Sequence, residues 1–131
     1  MEEDFPETLS ICCRIAADKK CTDLKIFDLR KGSSIVDYIA LATCTSESHL
    51  KAVGDALYQT FKHNYGQLCS MDYKPLSGWM VFDAFNIFFH AFTEPTRRRY
   101  DLDKLFEKSN VLDLDYILAV DICQKSTASK N

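Results

Sequence analysis

Apolar residues near the start of the chain recur at the spacing of one helical face. Leu9, Cys12, Cys13 and Ala16 follow the i, i+3, i+4, i+7 pattern, which indicates an amphipathic α-helix. Pro6 suits the first turn of this helix, because its missing N–H costs no hydrogen bond there. The polar segment Asp-Lys-Lys at 18–20 ends the predicted helix.

The pattern then changes to the two-residue period of extended strands. Apolar and polar positions alternate at 24–29, and residues 37–43 are apolar enough for a central strand, with the break Lys-Gly-Ser-Ser at 31–34 between the two. Thr45 and Ser46 are good helix-capping residues, and Glu47 follows where the helix dipole favours an acid. A second helix is therefore predicted from this point to about His63.

The second half of the chain predicts short strands followed by helices. A short strand at 67–71 and a loop at 72–78 precede a hairpin, 79–83 and 86–92, that turns at Ala84-Phe85. Helical patterns follow at 94–100, continue through the apolar residues of 102–106, and recur at 113–123. We predict one α/β domain, residues 1–123, with helices packed on a small mixed sheet. The polar segment 124–131 is predicted to be a disordered tail.

The predicted hairpin has two faces of different character, because side chains alternate along a strand. With a two-residue turn, the cross-strand pairs of one face are Trp79 with His90, Val81 with Phe88, and Asp83 with Asn86. The other face is wholly apolar and should pack against helices; it consists of Met80, Phe82, Ile87 and Phe89. From the residues alone, packing is the ordinary explanation for a Trp and a His on a strand. The mixed face is also typical of a recognition surface with aromatic anchors.

Composition and charge narrow the class of protein. The chain has 131 residues, of which 47% are hydrophobic and 27% charged, as expected of one soluble globular domain. A formal net charge of -3 provides no overall attraction to nucleic acid or anionic lipid. The acidic start MEEDFPE is neither a signal peptide nor a basic transit peptide, and the polar residues within 79–92 exclude a membrane span. We therefore expect a cytoplasmic protein with no membrane partner.

The cysteines and histidines show no metal-binding motif. None of the six cysteines forms a C-x-x-C pair, and the three histidines are dispersed. Without a secretory signal, the cysteines are expected to be reduced and mostly packed as small hydrophobic residues. A zinc site assembled from distant residues stays open, but no spacing predicts one. No metal or other cofactor is therefore predicted.

Two long segments of the sequence resemble a known family. The segments DLKIFDLRKGSSIVDYIALATCTSESHLKAVGDAL and WMVFDAFNIFFHAFTEPTRRRYDLDKLF are similar to the ribosomal silencing factor family, also called RsfS or Iojap-like. The similarity extends from Leu9 to Phe106 and depends on the order and spacing of several motifs. These are the strand pair with S-S-(apolar)-x-D-Y, the T-x-x-S-x-x-H helix entrance, the W-x-x-x-D and H-x-F strands, and the closing R-x-x-Y-D-L.

The resemblance implies a non-catalytic α/β protein with a nucleotidyltransferase-like sheet. Members of the family bind the universal large-subunit ribosomal protein numbered fourteen, which lies where the two subunits meet, and so block subunit joining when nutrients are scarce. Organellar relatives are linked to large-subunit assembly. The residues that we expect at the ribosomal-protein contact are Trp79, Val81, Phe88 and His90, with Met71 and Asp72 at its edge. Further residues that match the family motifs are Asp37, Tyr38, Thr43, Ser46, His49, Asp83 and Tyr100.

The chain departs from the family pattern at several loop positions. Cys44 stands where the family usually has glycine, and Ser48 where it has a basic residue. Phe85 and Asn86 stand where the strand turn usually has Gly-Asp, and Ser70-Met71-Asp72-Tyr73 replaces a G-(apolar)-E-G loop. These differences leave the expected fold unchanged and concern the conformations of the loops.

The main alternative is a nucleotidyltransferase-like enzyme that acts on a nucleotide with a divalent metal. Gly32-Ser33 after the first strand fits that class, but its chemistry needs two or three clustered carboxylates. Asp37 follows closely, whereas Asp101-x-Asp103 and Asp113-x-Asp115 lie in helical sequence, where solvated acids are the ordinary explanation. A non-catalytic function is therefore favoured.

Three smaller questions concern single segments. Cys44 and His49 could be drawn as a nucleophile and its base, although nothing marks an oxyanion site. Arg97, Arg98 and Arg99 point in different directions on one helical turn, so a solvated helix with local salt bridges is favoured. One of these arginines could make a minor contact with ribosomal RNA. The exposed hairpin surface leaves a monomer and a weak homodimer open.

Overall fold

A mixed sheet of six strands organises the fold. The computed structural model describes residues 6–32, 36–64, 66 and 68–119. Its strands are β1 (Thr22–Asp28), β2 (Tyr38–Cys44), β3 (Ser70–Tyr73), β4 (Trp79–Asp83), β5 (Ile87–Thr93) and β6 (Asn110–Val111). They lie in the order β3-β4-β5-β2-β1-β6. β2 and β5 are parallel, and every other neighbouring pair is antiparallel.

Among the described residues, two longer helices, two short ones and a further helical segment accompany the sheet. They are α1 (Glu7–Asp18), α2 (Glu47–Gln59), α3 (Glu94–Tyr100) and α4 (Leu102–Leu105); a π-helical turn over Thr60–Asn64 extends α2, and residues 114–119 are also helical. α2 packs across β2 to β5, and α1 packs against α2 and β1. The predicted α/β class with a mixed sheet is therefore confirmed. No helix formed by the described residues has the length and apolar character of a membrane span.

The main hydrophobic core lies between one face of the sheet and the helices α1 and α2. The side chains of Met80, Phe82, Ile87 and Phe89 are fully buried there, and each contributes roughly 1.5–3 kcal/mol through burial. Phe61, in the π-helical turn, packs edge-on against Phe82 with 5.2 Å between ring centroids. The face that alternation predicted to pack against helices does so.

A smaller hydrophobic cluster lies on the opposite face of the sheet. Phe27, Leu41 and Phe92 are buried in it, and Leu102 and Phe106 pack over them. At the other end of this face, on β3, β4 and β5, alternate side chains stay partly or fully exposed. The end of this face that carries the smaller cluster is therefore covered, whereas the end on β3, β4 and β5 is accessible to solvent.

The register of the β4–β5 hairpin differs from the predicted one. The observed pairs on the mixed face are Trp79 with Phe92, Val81 with His90, and Asp83 with Phe88. The predicted pairs (Trp79–His90, Val81–Phe88 and Asp83–Asn86) are therefore wrong by two residues. The turn lies at Phe85-Asn86, where the Ala84 N–H donates to Ile87 O at 3.0 Å, and not one residue earlier at the predicted Ala84-Phe85. A shift of two keeps every side chain on its predicted face, so the division into an apolar face and a mixed face is confirmed.

Strand β3 begins and ends later than the predicted strand at 67–71. Asp72 and Tyr73, predicted to be in a loop, pair with Val81 and Met80 of β4, so pairing with a neighbouring strand overrides the weak strand propensity of aspartate. Of the predicted helix at 113–123, residues 114–119 are helical. Asp113 immediately precedes this helical segment, and residues 120–123, the predicted tail 124–131, and Ser33-Ser34 lie outside the described residues.

Candidate functional site

The accessible end of the mixed face brings the predicted contact residues together. We call this surface the open face and define it by Ser70, Asp72, Trp79, Val81, Asp83, Phe88 and His90, which the strand registers place on one side of the sheet. Trp79, Val81, Phe88 and His90 are half-buried, and Asp72 is exposed. Five of the six predicted contact residues therefore share one surface.

Trp79 and His90 form a hydrogen-bonded pair at the centre of the open face. Trp79 Nε1 donates to His90 Nδ1 at 3.1 Å, and an accepting Nδ1 leaves the proton of the neutral imidazole on Nε2. Burial lowers the pKa of His90 from 6.5 to about 4. The pair is therefore uncharged at neutral pH, which makes its transfer out of water into an interface less costly.

The aromatic rings of Phe92 and Tyr100 pack against Trp79. Its ring centroid lies 5.1 Å from that of Phe92 and 4.8 Å from that of Tyr100, which is the last residue of α3. Gly78, with φ +74°, brings β4 so close to α3 that an added Cβ would overlap the Thr96 hydroxyl. Tyr100 is 50% exposed and extends the aromatic surface. Sequence reasoning assigned Tyr100 to the family motifs without placing it here, because its position depends on how α3 folds back over β5.

Met71 does not lie on the open face, which corrects its predicted place at the edge of the contact surface. It pairs with Phe82 in the β3–β4 ladder and packs against the main core. Its sulfur reaches α2 at Gly54, where an added Cβ would overlap it. Met71 was predicted to end its strand, and an isolated strand end carries no indication of which face it occupies.

Acidic and exposed apolar side chains border the open face. Asp83 Oδ1 accepts a hydrogen bond from the Phe85 backbone N–H at 3.0 Å, which holds the carboxylate at the hairpin turn. Phe85 and Leu68 are 85% and 88% exposed, and both line a shallow cavity with Asp83. The border is therefore negative at Asp72 and Asp83 and apolar at the turn.

The helix-entrance motif has a structural role. Ser46 Oγ accepts the His49 backbone N–H at 3.1 Å, so the predicted cap of α2 is confirmed. In the strand-pair motif, Tyr38 is buried beneath the Arg30 guanidinium, 5.2 Å from the ring centroid. The side chain of Asp37 is exposed, and its backbone N–H donates to Asn86 O at 3.1 Å, which ties the start of β2 to the hairpin turn.

Arg97 is a buried structural residue, which corrects the expectation of a solvated arginine run. It is 5% exposed, and its NH1 donates to Thr43 Oγ1 at 2.8 Å and to Asp23 O at 2.7 Å. A bulge in β1 between Thr22 and Lys25 accompanies the contact with Asp23. Arg97 Nε and NH2 donate to the two oxygens of Asp103 at 3.0 and 2.9 Å.

The ion pair with Arg97 also changes the interpretation of Asp103. The hydrogen bonds from Arg97 lower the pKa of Asp103, against the opposing effect of burial, so this acid is a structural partner and not a solvated one. Arg98 and Arg99 are exposed, and Arg98 pairs with Glu94 at 3.3 Å. Of the three arginines, only these two lie at the surface.

The acids considered for metal-dependent nucleotide chemistry do not converge in the described part of the chain. Asp37 is exposed, Asp103 binds Arg97, and Asp113 accepts the Asp115 N–H at 3.0 Å. Within the described ranges, the one group of three metal-ligating side chains consists of Cys21, Cys44 and His49 and contains no carboxylate. The geometry therefore adds no support for a nucleotidyltransferase.

The cysteines of that group form a hydrogen-bonded thiol pair. Cys21 Sγ lies 3.9 Å from Cys44 Sγ. The hydrogen bond from Cys44 lowers the pKa of Cys21, against burial, while the same hydrogen bond and burial raise the pKa of Cys44. A thiol whose ionisation is opposed in this way is a poor nucleophile, and His49 Nδ1 already accepts the Thr45 N–H. The structure therefore adds no support for Cys44 as a nucleophile with His49 as its base.

These features define a small α/β protein with one helix-covered face and one partly open face, and comparison with known proteins supplies its family. The model of the family described as "Ribosomal silencing factor during starvation" matches residues 2–131. The chain belongs to this family. The resemblance seen in the sequence is thereby confirmed.

Named relatives agree with this assignment. The ribosomal silencing factor RsfS of Bacillus subtilis is 24% identical over 82% of the chain and 92% of its own length. The RsfS of Haemophilus influenzae is 31% identical over 66% of the chain and 85% of its own length. The chloroplastic protein Iojap of Arabidopsis thaliana is 24% identical over 87% of the chain, which spans 49% of that longer protein.

Solved structures show the same fold. A crystal structure of a protein from Chromobacterium violaceum matches 80% of the chain and 88% of its own length, with a TM-score of 0.72 and 20% identity. A second one, from Bacillus halodurans, matches 82% of the chain and 97% of its own length, with a TM-score of 0.70 and 20% identity. The nucleotidyltransferase-like character of the sheet, which neither comparison tests, stays a prediction.

Proposed function

We propose that this protein represses translation by binding the large ribosomal subunit through its universal fourteenth ribosomal protein, and that it thereby blocks subunit joining. The observation that carries the proposal is the open face, where aromatic and apolar side chains are half-buried around Trp79 and His90. Family membership and the names of its bacterial relatives support a ribosomal partner. The proposed action is non-catalytic, needs no cofactor, and takes place in the cytoplasm.

The composition of the open face suits recognition of another protein. Interfaces concentrate their binding energy in a few central aromatic side chains that exclude water, and Trp79 and Phe88 are placed to do this. The Trp79–His90 pair already satisfies one donor and one acceptor, so a partner that covers it with apolar surface needs to supply only one acceptor, for the His90 Nε2–H. Asp72 and Asp83 at the border favour a partner with lysine or arginine around its contact patch.

The domain is large enough to obstruct the joining of the second ribosomal subunit sterically. A protein interface of ordinary size covers about 800 Å² on each partner, whereas the total accessible surface is 7884 Å². About a tenth of the surface would therefore bind the ribosomal protein. The rest of the domain would project from the subunit face and occupy space that the other subunit needs.

The test compares two variants that each add one negative charge on opposite faces of the sheet. Val81→Glu places a carboxylate at the centre of the open face, while Gln59→Glu places one on the exposed surface of α2. We expect Val81→Glu to weaken co-sedimentation with isolated large subunits by about 30-fold or more, and Gln59→Glu to leave it within about twofold. Equal binding by both variants would show that the open face is not the contact surface.

Two further measurements separate the partner from the mechanism. Phe88→Ala should weaken binding to the isolated fourteenth ribosomal protein as much as it weakens binding to whole large subunits, because one contact governs both. Wild-type protein, but not Val81→Glu, should reduce the formation of joined ribosomes from purified subunits in a sucrose gradient. Tight binding to large subunits with unimpaired joining would contradict the occlusion mechanism while leaving the contact surface standing.

A further inference from the structure

Two cysteines and a histidine that are distant in sequence meet beside the first two strands. Cys21 immediately precedes β1 and Cys44 ends β2, and the antiparallel pairing of Thr22 with Thr43 sets the two cysteines opposite each other. His49 lies in the first turn of α2. One ligand atom from each residue lies within 4.8 Å of the other two.

The separation of the two sulfurs suits ligands that share one metal ion. The two sulfurs are 3.9 Å apart, and both thiols are free. Sulfurs bound to one tetrahedral zinc at about 2.3 Å each lie about 3.8 Å apart. Cys21 and Cys44 therefore need almost no movement to bind the same ion. Cys21 and His49 are half-buried, so solvent reaches the cluster from their side.

The hydrogen bonds of His49 orient its ring as outer-shell partners orient a metal ligand. His49 Nε2 lies 2.6 Å from Lys19 O, and a carbonyl can only accept, so Nε2 carries the proton. The lone pair is then on Nδ1, which accepts the Thr45 backbone N–H at 2.9 Å. An N–H donated to a backbone carbonyl is the usual way in which a ligating histidine is held. A metal at Nδ1 would displace the Thr45 backbone N–H and the Thr45 hydroxyl, which lies 3.3 Å from the same nitrogen.

We propose that Cys21, Cys44 and His49 form a binding site for a thiophilic d¹⁰ metal ion, of which Zn²⁺ is the representative, with solvent as the fourth ligand. Two sulfurs and one imidazole nitrogen are ligands that favour zinc over magnesium or calcium, which prefer oxygen. Binding of Zn²⁺ forms two Zn–S bonds and one Zn–N bond, and the thiol protons still present on Cys21 and Cys44 pass to solvent. No electron transfer is involved.

The consequence of such a site is a cross-link near the end of the sheet. The three ligands belong to the start of β1, the end of β2 and the start of α2, and a metal that binds only the folded chain stabilises it by mass action. The role proposed is therefore structural. It is independent of the proposed ribosomal contact, because the open face lies on β3, β4 and β5.

The experiment uses the full chain, reduced and freed of metal with a chelator that is then removed. Zn²⁺ is titrated against a chromophoric chelator, with Cys44→Ser and His49→Gln as test variants and Cys69→Ser as the matched control, since Cys69 is a free cysteine outside the cluster. We expect one zinc per chain for wild type and Cys69→Ser. Loss of either ligand should weaken binding by more than the 10- to 100-fold that is typical for an outer-shell partner.

Two further measurements keep the result unambiguous. Circular dichroism without metal establishes whether each variant is folded. If Cys44→Ser, which changes a buried residue, does not fold, His49→Gln alone tests the loss of a ligand. Co²⁺ should give the intense visible bands of tetrahedral coordination with wild type and not with His49→Gln. Zinc should raise the thermal midpoint of wild type and leave that of His49→Gln unchanged. The proposal is overturned by equal zinc affinity of wild type and both ligand variants, or by reduced wild-type protein that takes up no zinc.

Discussion

Arg97 shows how one side chain can hold several elements of this fold together. Its guanidinium joins α3 to the bulge in β1 through Asp23 O, to the end of β2 through Thr43, and to Asp103 in α4. A planar guanidinium with five N–H donors can bind acceptors on three residues at once, whereas a lysine ammonium is a point charge without that geometry. Burial makes each unmade bond costly.

We therefore predict that Arg97→Lys destabilises the protein by about 2–4 kcal/mol. The lysine keeps the charge near Asp103 and leaves the Thr43 hydroxyl or Asp23 carbonyl without its donor. Urea unfolding measures the effect. Arg98→Lys is the control, because the exposed Arg98 makes one surface ion pair with Glu94, and its replacement should cost less than about 0.5 kcal/mol. Equal losses for the two variants would contradict the structural role of Arg97.

His90 makes stability depend on pH in the mildly acidic range. Its pKa is about 4 in the folded protein because of burial, against about 6.5 in an unfolded chain. Between these values the unfolded state binds the proton and the folded state does not, so stability falls as the pH is lowered from about 6.5 to about 4 and levels off below. The loss is at most about 3.4 kcal/mol.

Urea unfolding at a series of pH values tests this prediction. In His90→Gln, which has no titrating ring at this position, the decline between about pH 6.5 and about pH 4 should be shallower by the contribution of His90. Nuclear magnetic resonance of the imidazole should give a midpoint near the lower end of that range in wild type. An unchanged pH profile in His90→Gln would mean that another group causes the decline.

At the level of elements, the conformation of the turn between β4 and β5 is the feature of the hairpin that is hardest to predict from the sequence. Phe85 adopts φ +75°, a region that costs a non-glycine residue about 1–2 kcal/mol. Asn86 O nevertheless accepts the N–H groups of Asp37 and Tyr38, each at 3.1 Å, so the strained turn attaches the hairpin to β2.

Phe85→Gly should therefore stabilise the protein by about 1 kcal/mol, since glycine adopts this conformation without steric cost. Phe85→Ala is the matched control: it also removes the exposed ring but keeps the unfavourable φ, and we expect no stabilisation. Thermal unfolding of the two variants beside wild type measures the difference. A glycine variant no more stable than the alanine variant would show that the turn is not strained at this residue.

The elements that sequence reasoning placed correctly are those whose signals are local. Ser46 caps α2 because the cap needs only a serine oxygen and a backbone N–H three residues later. The alternation of side chains also assigned the residues of the hairpin to the correct faces, although the predicted register was wrong. The errors concern contacts between elements. Met71 follows the pairing of β3 with β4, and Arg97 is buried by residues of β1, β2 and α4. Cys21 and Cys44 meet only through the β1–β2 register, which no local pattern specifies.

For the whole molecule, the two hydrophobic clusters share the same strands and should unfold together. β2 and β5 contribute side chains to the helix-covered core and to the smaller cluster alike, so neither cluster can be lost without disturbing the sheet. Trp79 is the single tryptophan of the chain and packs at the margin of the smaller cluster. Its fluorescence therefore monitors one side of the sheet, while far-UV circular dichroism monitors the helices.

We predict that urea unfolding followed by Trp79 fluorescence and by far-UV circular dichroism gives coincident transitions, as expected for a two-state domain. Both probes are recorded on the same samples, and Phe88→Ala should shift both midpoints equally. A fluorescence transition at lower urea than the dichroism transition would reveal that the open-face side of the sheet melts as a separate unit.

The parallel pairing of β2 with β5 sets when this chain can fold during its own synthesis. β2 is buried along its whole length. Its parallel partner, β5, is translated about fifty residues later, and strand pairings across such a long stretch of chain form slowly. The N-terminal half leaves the ribosome with an apolar strand edge still unpaired. The sheet is completed only after β5 has emerged, so each new molecule acquires its full strand order late in its own translation.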